Sequence, residues 1–220
     1  MIDFNQMRDN MVFGQILPER IVDSKVIEAF RTIPRELFVP EIFKSSAYID
    51  GEIKLNNDRY LGRPSFLARL IQSADIKDSN LVLDVGTGFG YVSAVLSKLA
   101  STVVSIEKNN FMLDHAKEEL SKLGADNVVL LKGDLNQGCS EHAPYDAIII
   151  SGAVQEVPEL LFEQLGEGGC LLAVVTKDFS GVAGKAIKYT RFSGSINENR
   201  LFDAEVSLIS DFKKPYKFKL

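Results

Sequence analysis

The chain has 220 residues, 45% hydrophobic and 25% charged, a balance typical of a soluble folded domain that excludes disordered and collagen-like proteins. A net charge of −5 disfavours nucleic acid as the main partner, because phosphate contacts require clustered lysine and arginine. Apolar runs are too short to span a membrane, residues 1–10 lack a signal-peptide core, and the two cysteines lack metal-ligand spacing. We therefore expect a cytoplasmic protein with no metal site and no membrane partner.

Helices are predicted over most of residues 1–40, followed by a long loop. One helix begins at a cap formed by Asp23 or Ser24 and then repeats apolar residues at helical spacing. Residues 47–64 show no periodicity and are rich in Asp, Asn and Gly, so we predict an ordered loop of the kind that often carries function. Helical periodicity resumes over Phe66–Ser73.

Short apolar runs alternate with helical stretches from residue 80 onward. The predicted strands are Leu81–Val85, Thr102–Ile106, Val128–Lys132, Ala147–Ser151 and Cys170–Thr176, and the predicted helices are Gly90–Leu99, Phe111–Leu123 and Pro158–Leu165. Two edge strands, parallel or antiparallel, are predicted at Ala186–Arg191 and Glu205–Ser210.

This alternation predicts an α/β fold with a doubly wound, mostly parallel, Rossmann-like sheet and helices on both faces. An N-terminal helical extension with a substrate loop (residues 1–79) precedes the sheet domain (residues 80–220). We expect the two parts to form one compact unit.

A glycine-rich segment follows the first predicted strand and opens a helix, which is the context that a nucleotide-binding loop requires. It reads Gly86-Thr87-Gly88-Phe89-Gly90, and Asp84 stands two positions before its first glycine. An acid there would repel a dinucleotide's pyrophosphate but suits the α-ammonium and sulfonium of S-adenosylmethionine. We predict S-adenosylmethionine as the cofactor, with the glycine amides facing its amino-acid part. The residues predicted to bind it here are Asp84, Gly86, Gly88 and Gly90.

Acids also follow the next two predicted strands. Glu107 stands where a carboxylate can accept hydrogen bonds from both ribose hydroxyls, and Asp134 where one can accept from the adenine amino group. Ligands of open α/β sheets bind along the carboxyl ends of the strands, so Glu107 and Asp134 are predicted to complete the cofactor site. Asp146 precedes its strand and is expected at the opposite edge.

Segments outside the glycine loop carry a second pattern. They are Val26–Phe30, Ile33–Pro40, Ala47–Asp50, Lys132–Asp134, Ala143–Asp146 and Gln164–Gly169. Together with the loop they resemble the protein-L-isoaspartate O-methyltransferase family, from about Asn10 to about Thr176. The resemblance implies the class I methyltransferase fold, S-adenosylmethionine as cofactor, and a carboxylate of damaged protein or peptide as the methyl acceptor. We expect a monomer or a weak homodimer.

One position departs from the family's pattern. The family carries Ser-x-Pro before the cofactor domain, and that serine is its usual catalytic residue, whereas this chain has Gly62 there. The catalytic residue is therefore left unassigned. Three neighbours are candidates for contacts in the substrate loop, each with a simpler structural role beside it. Tyr60 packs over the cofactor or anchors the loop, and Arg63 holds an anionic group or pairs at the surface with Asp58 or Glu52. Ser65 contacts the substrate or caps the next helix, but it lies beyond the proline and is not an equivalent replacement for the serine.

Several functions therefore stay open beside isoaspartyl methylation. Gly62 favours a methyltransferase of the same fold with another small-molecule or protein acceptor, and Gly62 beside an intact glycine loop also fits a catalytically silent S-adenosylmethionine-binding module. An NAD-dependent dehydrogenase is disfavoured by Asp84 and by the glycine spacing. Ser151–Val154 stands where base N-methyltransferases commonly carry Asn-Pro-Pro-aromatic, which speaks against that activity. We also predict that residues 48–64 close over the cofactor as a lid.

Overall fold

The first part of the chain forms helices, as predicted. The structure, a computed structural model, describes residues 2–56, 58–177 and 183–214. Helix α1 (Phe4–Met11) continues into a π-helical segment (Val12–Ile16), and helix α2 spans Ser24–Thr32. Asp23, one of the two predicted caps, holds the start of α2, because its carboxylate accepts a hydrogen bond of 2.8 Å from the backbone N–H of Lys25.

Residues 47–64 are not wholly the irregular loop that we predicted. Strands β1 (Ile53–Lys54) and β2 (Tyr60–Leu61) pair as an antiparallel hairpin within them. Strands of two residues are too short to show an alternating pattern, and this is why the sequence conceals them. Helix α3 (Pro64–Ala74) follows directly and starts at a proline, a residue that fits the first helical position.

The described residues beyond α3 form a seven-stranded sheet. The strands are β3 (Leu81–Val85), β4 (Thr102–Glu107), β5 (Val128–Lys132), β6 (Tyr145–Val154), β7 (Leu165–Val175), β8 (Gly184–Phe192) and β9 (Ser195–Ala204). Helices α4 (Tyr91–Leu96), α5 (Asn110–Lys122) and α6 (Glu159–Glu163) connect the parallel strands.

The strand order is β5-β4-β3-β6-β7-β8-β9, in which β3 to β7 run parallel and the last two strands are antiparallel to their neighbours. The predicted doubly wound, mostly parallel fold is thus confirmed. The chain winds outward from β3 in one direction and from β6 in the other. Ligands of such sheets bind at this switch point, outside the carboxyl ends of the strands.

The central strands of the sheet are buried on both faces, in keeping with the predicted helices on both faces. Along β3, Val82 belongs to a core shared with Phe30 of α2 and Phe66 of α3. The next residue, Leu83, belongs to a separate core on the opposite face, together with Ile148 of β6. Successive side chains of a strand point to opposite faces, so the N-terminal helices cover one of them.

The predicted edge strand at Glu205–Ser210 is wrong. The last strand is β9, and its first six residues are exposed, mostly polar side chains, so it carries no apolar alternation to reveal it. Residues 207–209 instead run parallel to the end of β6, where the N–H of Ala153 donates to the carbonyl of Ser207 and the N–H of Ile209 donates to the carbonyl of Ala153, both at 3.0 Å. This single parallel β-bridge places the segment beside the carboxyl edge of the sheet.

No helix in the described part of the chain is long and apolar enough to cross a membrane. Within the same residues, no group of three or more metal-ligating side chains converges on one point. The two thiols, Cys139 and Cys170, are free, and Cys170 is buried in β7.

Candidate cofactor and substrate site

The glycine loop turns sharply between β3 and α4. Gly86, Gly88 and Gly90 have φ angles of +79°, +59° and +96°, a region that side chains with a Cβ rarely adopt. We predicted that their amides face a ligand, but those amides are already bonded within the protein. Gly86 N–H donates to Ile106 and Gly90 N–H to Thr87. The carbonyl of Gly86 instead accepts a hydrogen bond of 2.7 Å from Arg59 of the hairpin.

Glu107 ends β4 beside this loop and is buried, with 1% of its surface exposed. Its Oε1 accepts from the backbone N–H groups of Lys108 and Asn109 at 2.9 and 3.0 Å. Its Oε2 accepts from the N–H of Gly88 at 3.0 Å and from a guanidinium of the hairpin. These bonds hold the carboxylate in one orientation at the edge of the loop. Its role toward a ribose stays a prediction.

Asp84 lies beneath the loop rather than at its surface. Its carboxylate is fully buried, and Oδ2 accepts a hydrogen bond of 2.7 Å from the hydroxyl of Ser93. Burial raises the pKa of this carboxyl to about 6, although the hydroxyls of Ser93 and Thr87 act in the opposite direction. The glycine loop covers this carboxylate, so the direct contact that we predicted is not available in this conformation.

Asp134 follows β5 and is exposed. Its Oδ1 accepts from the backbone N–H and the side-chain amide of Asn136 at 3.0 and 3.2 Å, and these bonds lower the pKa of the carboxyl. The neighbouring residue, Leu135, is fully buried and reaches the glycine loop, its Cδ1 lying 3.2 Å from where a Cβ of Gly86 would be. The sequence pattern pointed to the acid and missed this apolar contact.

The hairpin rests directly on the glycine loop. Leu55 lies 2.9 Å from where a Cβ of Gly88 would be, and the guanidinium of Arg59 lies 2.8 Å from where a Cβ of Gly86 would be. Arg59 Nη2 donates to the carbonyl of Gly86 at 2.7 Å and to Oε2 of Glu107 at 2.9 Å. Sequence analysis missed Arg59, because nothing local in the sequence links residue 59 to residue 107.

Arg59 separates the crevice into two hollows. A hollow of about 340 Å³ extends from it over Glu107 toward Asp211. A much smaller one of about 20 Å³ lies between Gly86, Tyr60 and Ser151 at the end of β6. The segment of residues 207–211 borders both hollows, and the hydroxyl of Ser210 there donates to Asp58 at 2.6 Å.

The substrate-loop candidates lie at different places. Tyr60 is 39% exposed and lines the small hollow. Arg63 does not pair with Asp58 or Glu52 and instead lines a separate cavity of about 1060 Å³ against β8 and β9. Ser65 lies in the first turn of α3, where its hydroxyl and N–H both donate to the carboxylate of Asp50, at 2.9 and 3.2 Å. The structure thus brings Tyr60, and not the other two, to the crevice.

Gly62 is buried, and a buried arginine holds it in place. Arg35 donates from Nη2 to the carbonyl of Gly62 at 2.8 Å and from Nε to the carbonyl of Ala47 at 2.7 Å. Its guanidinium carbon also lies 4.9 Å from the ring centroid of Tyr91, within the range of a cation–π contact. Arg35 therefore fixes the backbone at Gly62, the position where we expect the family's serine.

Comparison with known proteins shows which family the chain that forms this crevice resembles. The profile described as Protein-L-isoaspartate(D-aspartate) O-methyltransferase (PCMT) matches residues 7–201. The chain belongs to this family. By that membership it is an S-adenosylmethionine-dependent methyltransferase, as the resemblance implied.

Relatives of the same family extend over most of the chain. Protein-L-isoaspartate O-methyltransferase 1 of Syntrophobacter fumaroxidans is 37% identical, the alignment covering 80% of this chain and 82% of the relative. The enzyme of Methanoculleus marisnigri is 39% identical, with 76% of each chain covered. A solved protein-L-isoaspartate O-methyltransferase superimposes with a TM-score of 0.81 at 28% identity, covering 91% of this chain and 65% of that one.

The crevice offers hydrogen-bond acceptors that match the donors of S-adenosylmethionine. Arg59 already satisfies two acceptors, Gly86 O and Glu107 Oε2, with a cationic N–H donor. The α-ammonium of S-adenosylmethionine is likewise a cationic N–H donor, and its ribose hydroxyls are neutral donors that a carboxylate accepts well, so the two acceptors suit the cofactor. Leu55 and Leu135 supply apolar contacts at the glycine loop. The acceptors and the apolar contacts of the crevice therefore suit S-adenosylmethionine by their chemistry.

Proposed function

We propose that this protein methylates the carboxylate of an L-isoaspartyl residue in damaged protein or peptide. The observation that carries the proposal is the pair of acceptors, Glu107 Oε2 and Gly86 O, at the switch point of a chain that belongs to this family. When bound, S-adenosylmethionine supplies an activated methyl group on its sulfonium. In the proposal Glu107 orients the ribose, Gly86 O accepts from the α-ammonium, and the remaining cofactor contacts come from Gly88, Gly90 and Asp134.

The acceptor needs no general base in this reaction. A carboxylate with an ordinary pKa of about 4 is already ionised near neutrality. The protein must instead align the oxygen with the methyl group and exclude water. In the proposal the hairpin over the glycine loop and the anchored backbone at Gly62 serve both purposes, since they place a short segment against the crevice. We propose that the same segment acts as the lid over the bound cofactor.

Peptides that differ only in one linkage test the proposal. Methyl transfer is measured to an isoaspartyl peptide and to its normal aspartyl twin, each at several concentrations. We expect kcat/KM for the isoaspartyl peptide to exceed that for the twin by at least tenfold, which is roughly 1.4 kcal/mol of discrimination. Equal transfer, or transfer only to a different acceptor, would contradict isoaspartyl specificity. Cofactor binding without transfer to any acceptor would favour the silent binding module.

Gly62→Ser is expected to raise the rate of isoaspartyl methylation. A Cβ at this position would lie 3.3 Å from Leu67 and Phe66, and the φ angle is not in the left-handed region, so a serine fits with a small shift of both neighbours. Its hydroxyl would add a hydrogen bond to the acceptor carboxylate, worth about 1–3 kcal/mol. Single-turnover rates of Gly62→Ser and Gly62→Ala separate the hydroxyl from the added volume. A gain in both variants would rule out the hydroxyl as the cause.

Glu107→Ala is expected to weaken cofactor binding by roughly 1–3 kcal/mol, because charge-assisted bonds to the ribose hydroxyls are lost. Calorimetric titration with S-adenosylhomocysteine, the demethylated product, measures this without turnover. Glu118→Ala is the matched control, since Glu118 is an exposed carboxylate paired with Lys122 on α5. Unchanged affinity in Glu107→Ala would remove Glu107 from the site.

A further inference from the structure

Arg59 occupies the acceptors that the cofactor requires. Its guanidinium is 7% exposed and pairs with a carboxylate that is 1% exposed, so the contact is an ion pair inside the crevice. The backbone of the hairpin supports this position, because Arg59 O accepts from Leu55 N–H at 2.9 Å and Arg59 N–H donates to the side chain of Asn56 at 3.1 Å. The placement is thus built into the hairpin.

A ribose hydroxyl and Arg59 Nη2 compete for Glu107 Oε2. The same oxygen also accepts from Gly88 N–H, and Oε1 is engaged by two further backbone donors. The α-ammonium likewise competes with Arg59 for Gly86 O. Cofactor binding must therefore move the guanidinium off both acceptors.

We propose that Arg59 occupies the cofactor site until the cofactor displaces it and that, once displaced, it binds the acceptor carboxylate. The second half of this statement rests on the proposed function. Arg59 would then supply the substrate contact that the chain lacks at Gly62. It would also couple the two ligands, since only the cofactor releases the guanidinium.

Charge favours Arg59 as the carboxylate's partner. Arg59 is the one basic side chain among the described residues that line the small hollow at the end of β6. The two acids of that lining have partners of their own, because Glu52 accepts from Ser207 at 2.8 and 2.6 Å and Asp58 accepts from Ser210. With Arg59 in place this hollow of about 20 Å³ is too small for a carboxylate, so in the proposal the ligand enters only after Arg59 has moved, and Arg59 is then its one cationic partner beside the two acids.

Arg59 also keeps donors for such a ligand. Within the described residues, Nη2 makes both side-chain hydrogen bonds, whereas Nε and Nη1 donate to no protein group. A guanidinium presents its donors as a planar fork that matches a carboxylate in two parallel bonds. Arg63, which sequence analysis named as a candidate for holding an anionic group, lines the cavity against β8 and β9 instead.

The first arm of the test measures cofactor affinity alone. Arg59→Met removes the competing donors at nearly constant side-chain length, and Lys54→Met removes an exposed cation from the same hairpin. S-adenosylhomocysteine is titrated calorimetrically into each folded variant. We expect Arg59→Met to bind about tenfold more tightly than the wild type and Lys54→Met to bind equally. Unchanged or weaker binding by Arg59→Met would overturn the displacement.

The second arm measures the acceptor side at saturating S-adenosylmethionine. Arg59→Met is expected to raise KM for the isoaspartyl peptide at least tenfold while kcat changes less than threefold, and Arg59→Lys is expected to recover part of the loss. An unchanged KM in Arg59→Met, or a rise in Arg63→Met instead, would overturn the acceptor contact. If the wild type does not methylate the peptide, the proposed function and the contact of Arg59 with the acceptor are both contradicted. The titration in the first arm still shows whether the cofactor displaces Arg59.

Discussion

Arg35→Met is expected to lower the free energy of unfolding by roughly 2–6 kcal/mol, the cost of leaving two buried carbonyls without their donor. Methionine keeps the length of the side chain but leaves the carbonyls of Ala47 and Gly62 without their donor. Each buried acceptor without a partner costs about 1–3 kcal/mol. Burial lowers the pKa of Arg35, yet an arginine remains charged, so its hydrogen bonds persist at every physiological pH.

Urea denaturation measures the loss, with Arg200→Met as the control. Arg200 is an exposed arginine on β9 that pairs with Glu198, so its replacement is expected to change stability by about 0.5 kcal/mol or less. Activity should fall in Arg35→Met beyond what the unfolded fraction explains, because the backbone at Gly62 loses its anchor. A cost below about 1 kcal/mol would show that Arg35 does not hold this segment.

Asp84→Asn is expected to stabilise the protein at pH 8 by roughly 2–3 kcal/mol and to have little effect at pH 4. The folded pKa of Asp84 is about 6, above its ordinary value of 3.8, and this difference is worth roughly 3 kcal/mol. The folded protein thus binds the proton more tightly than the unfolded chain does. The contribution of Asp84 to the stability of the wild type is fully present below about pH 4, and it is lost as the pH rises through 6.

Asparagine removes this loss, because its side chain is neutral at both pH values and still accepts a hydrogen bond from Ser93. Urea denaturation of the wild type and of Asp84→Asn at pH 8 and pH 4 gives the difference directly. Asp78→Asn, at an exposed carboxylate paired with Lys25, controls for a general change of charge. An equal gain at both pH values would show that the buried charge is not its source. The stabilised variant should also bind S-adenosylhomocysteine more weakly, since the negative charge under the glycine loop is gone.

The residues at the strand ends were predictable from sequence, because the carboxyl ends of parallel strands all lie along the same edge of the sheet. β3 and β5 begin and end where the apolar runs do, so Asp84, the glycines, Glu107 and Asp134 were placed at one edge without knowledge of any contact. Burial was not predictable in the same way. Asp84 shares its strand end with groups that cover it, and no local pattern distinguishes a covered acid from an open one.

The hairpin and the segment of residues 207–209 were not predicted, because contacts between residues far apart in the sequence define them. Arg59 meets Glu107 across 48 positions of sequence, and Glu52 meets Ser207 across 155. β9 was missed because its exposed face offers Asn and Glu in place of apolar alternation, and the apolar residues after Ala204 attracted the prediction instead. These contacts shape the crevice more than any motif does, and only the folded chain reveals them.

The central claim is that a carboxylate accepts the methyl group, and the stability of the product tests it most directly. Damaged protein is incubated with the wild type and radiolabelled S-adenosylmethionine, and the labelled product is then exposed to mild base. A methyl ester hydrolyses under these conditions, so the account predicts that the label leaves as volatile methanol and that isoaspartyl peptide competes for its incorporation. Label that stays on the protein after base would show methylation of nitrogen or another stable group and would contradict the account.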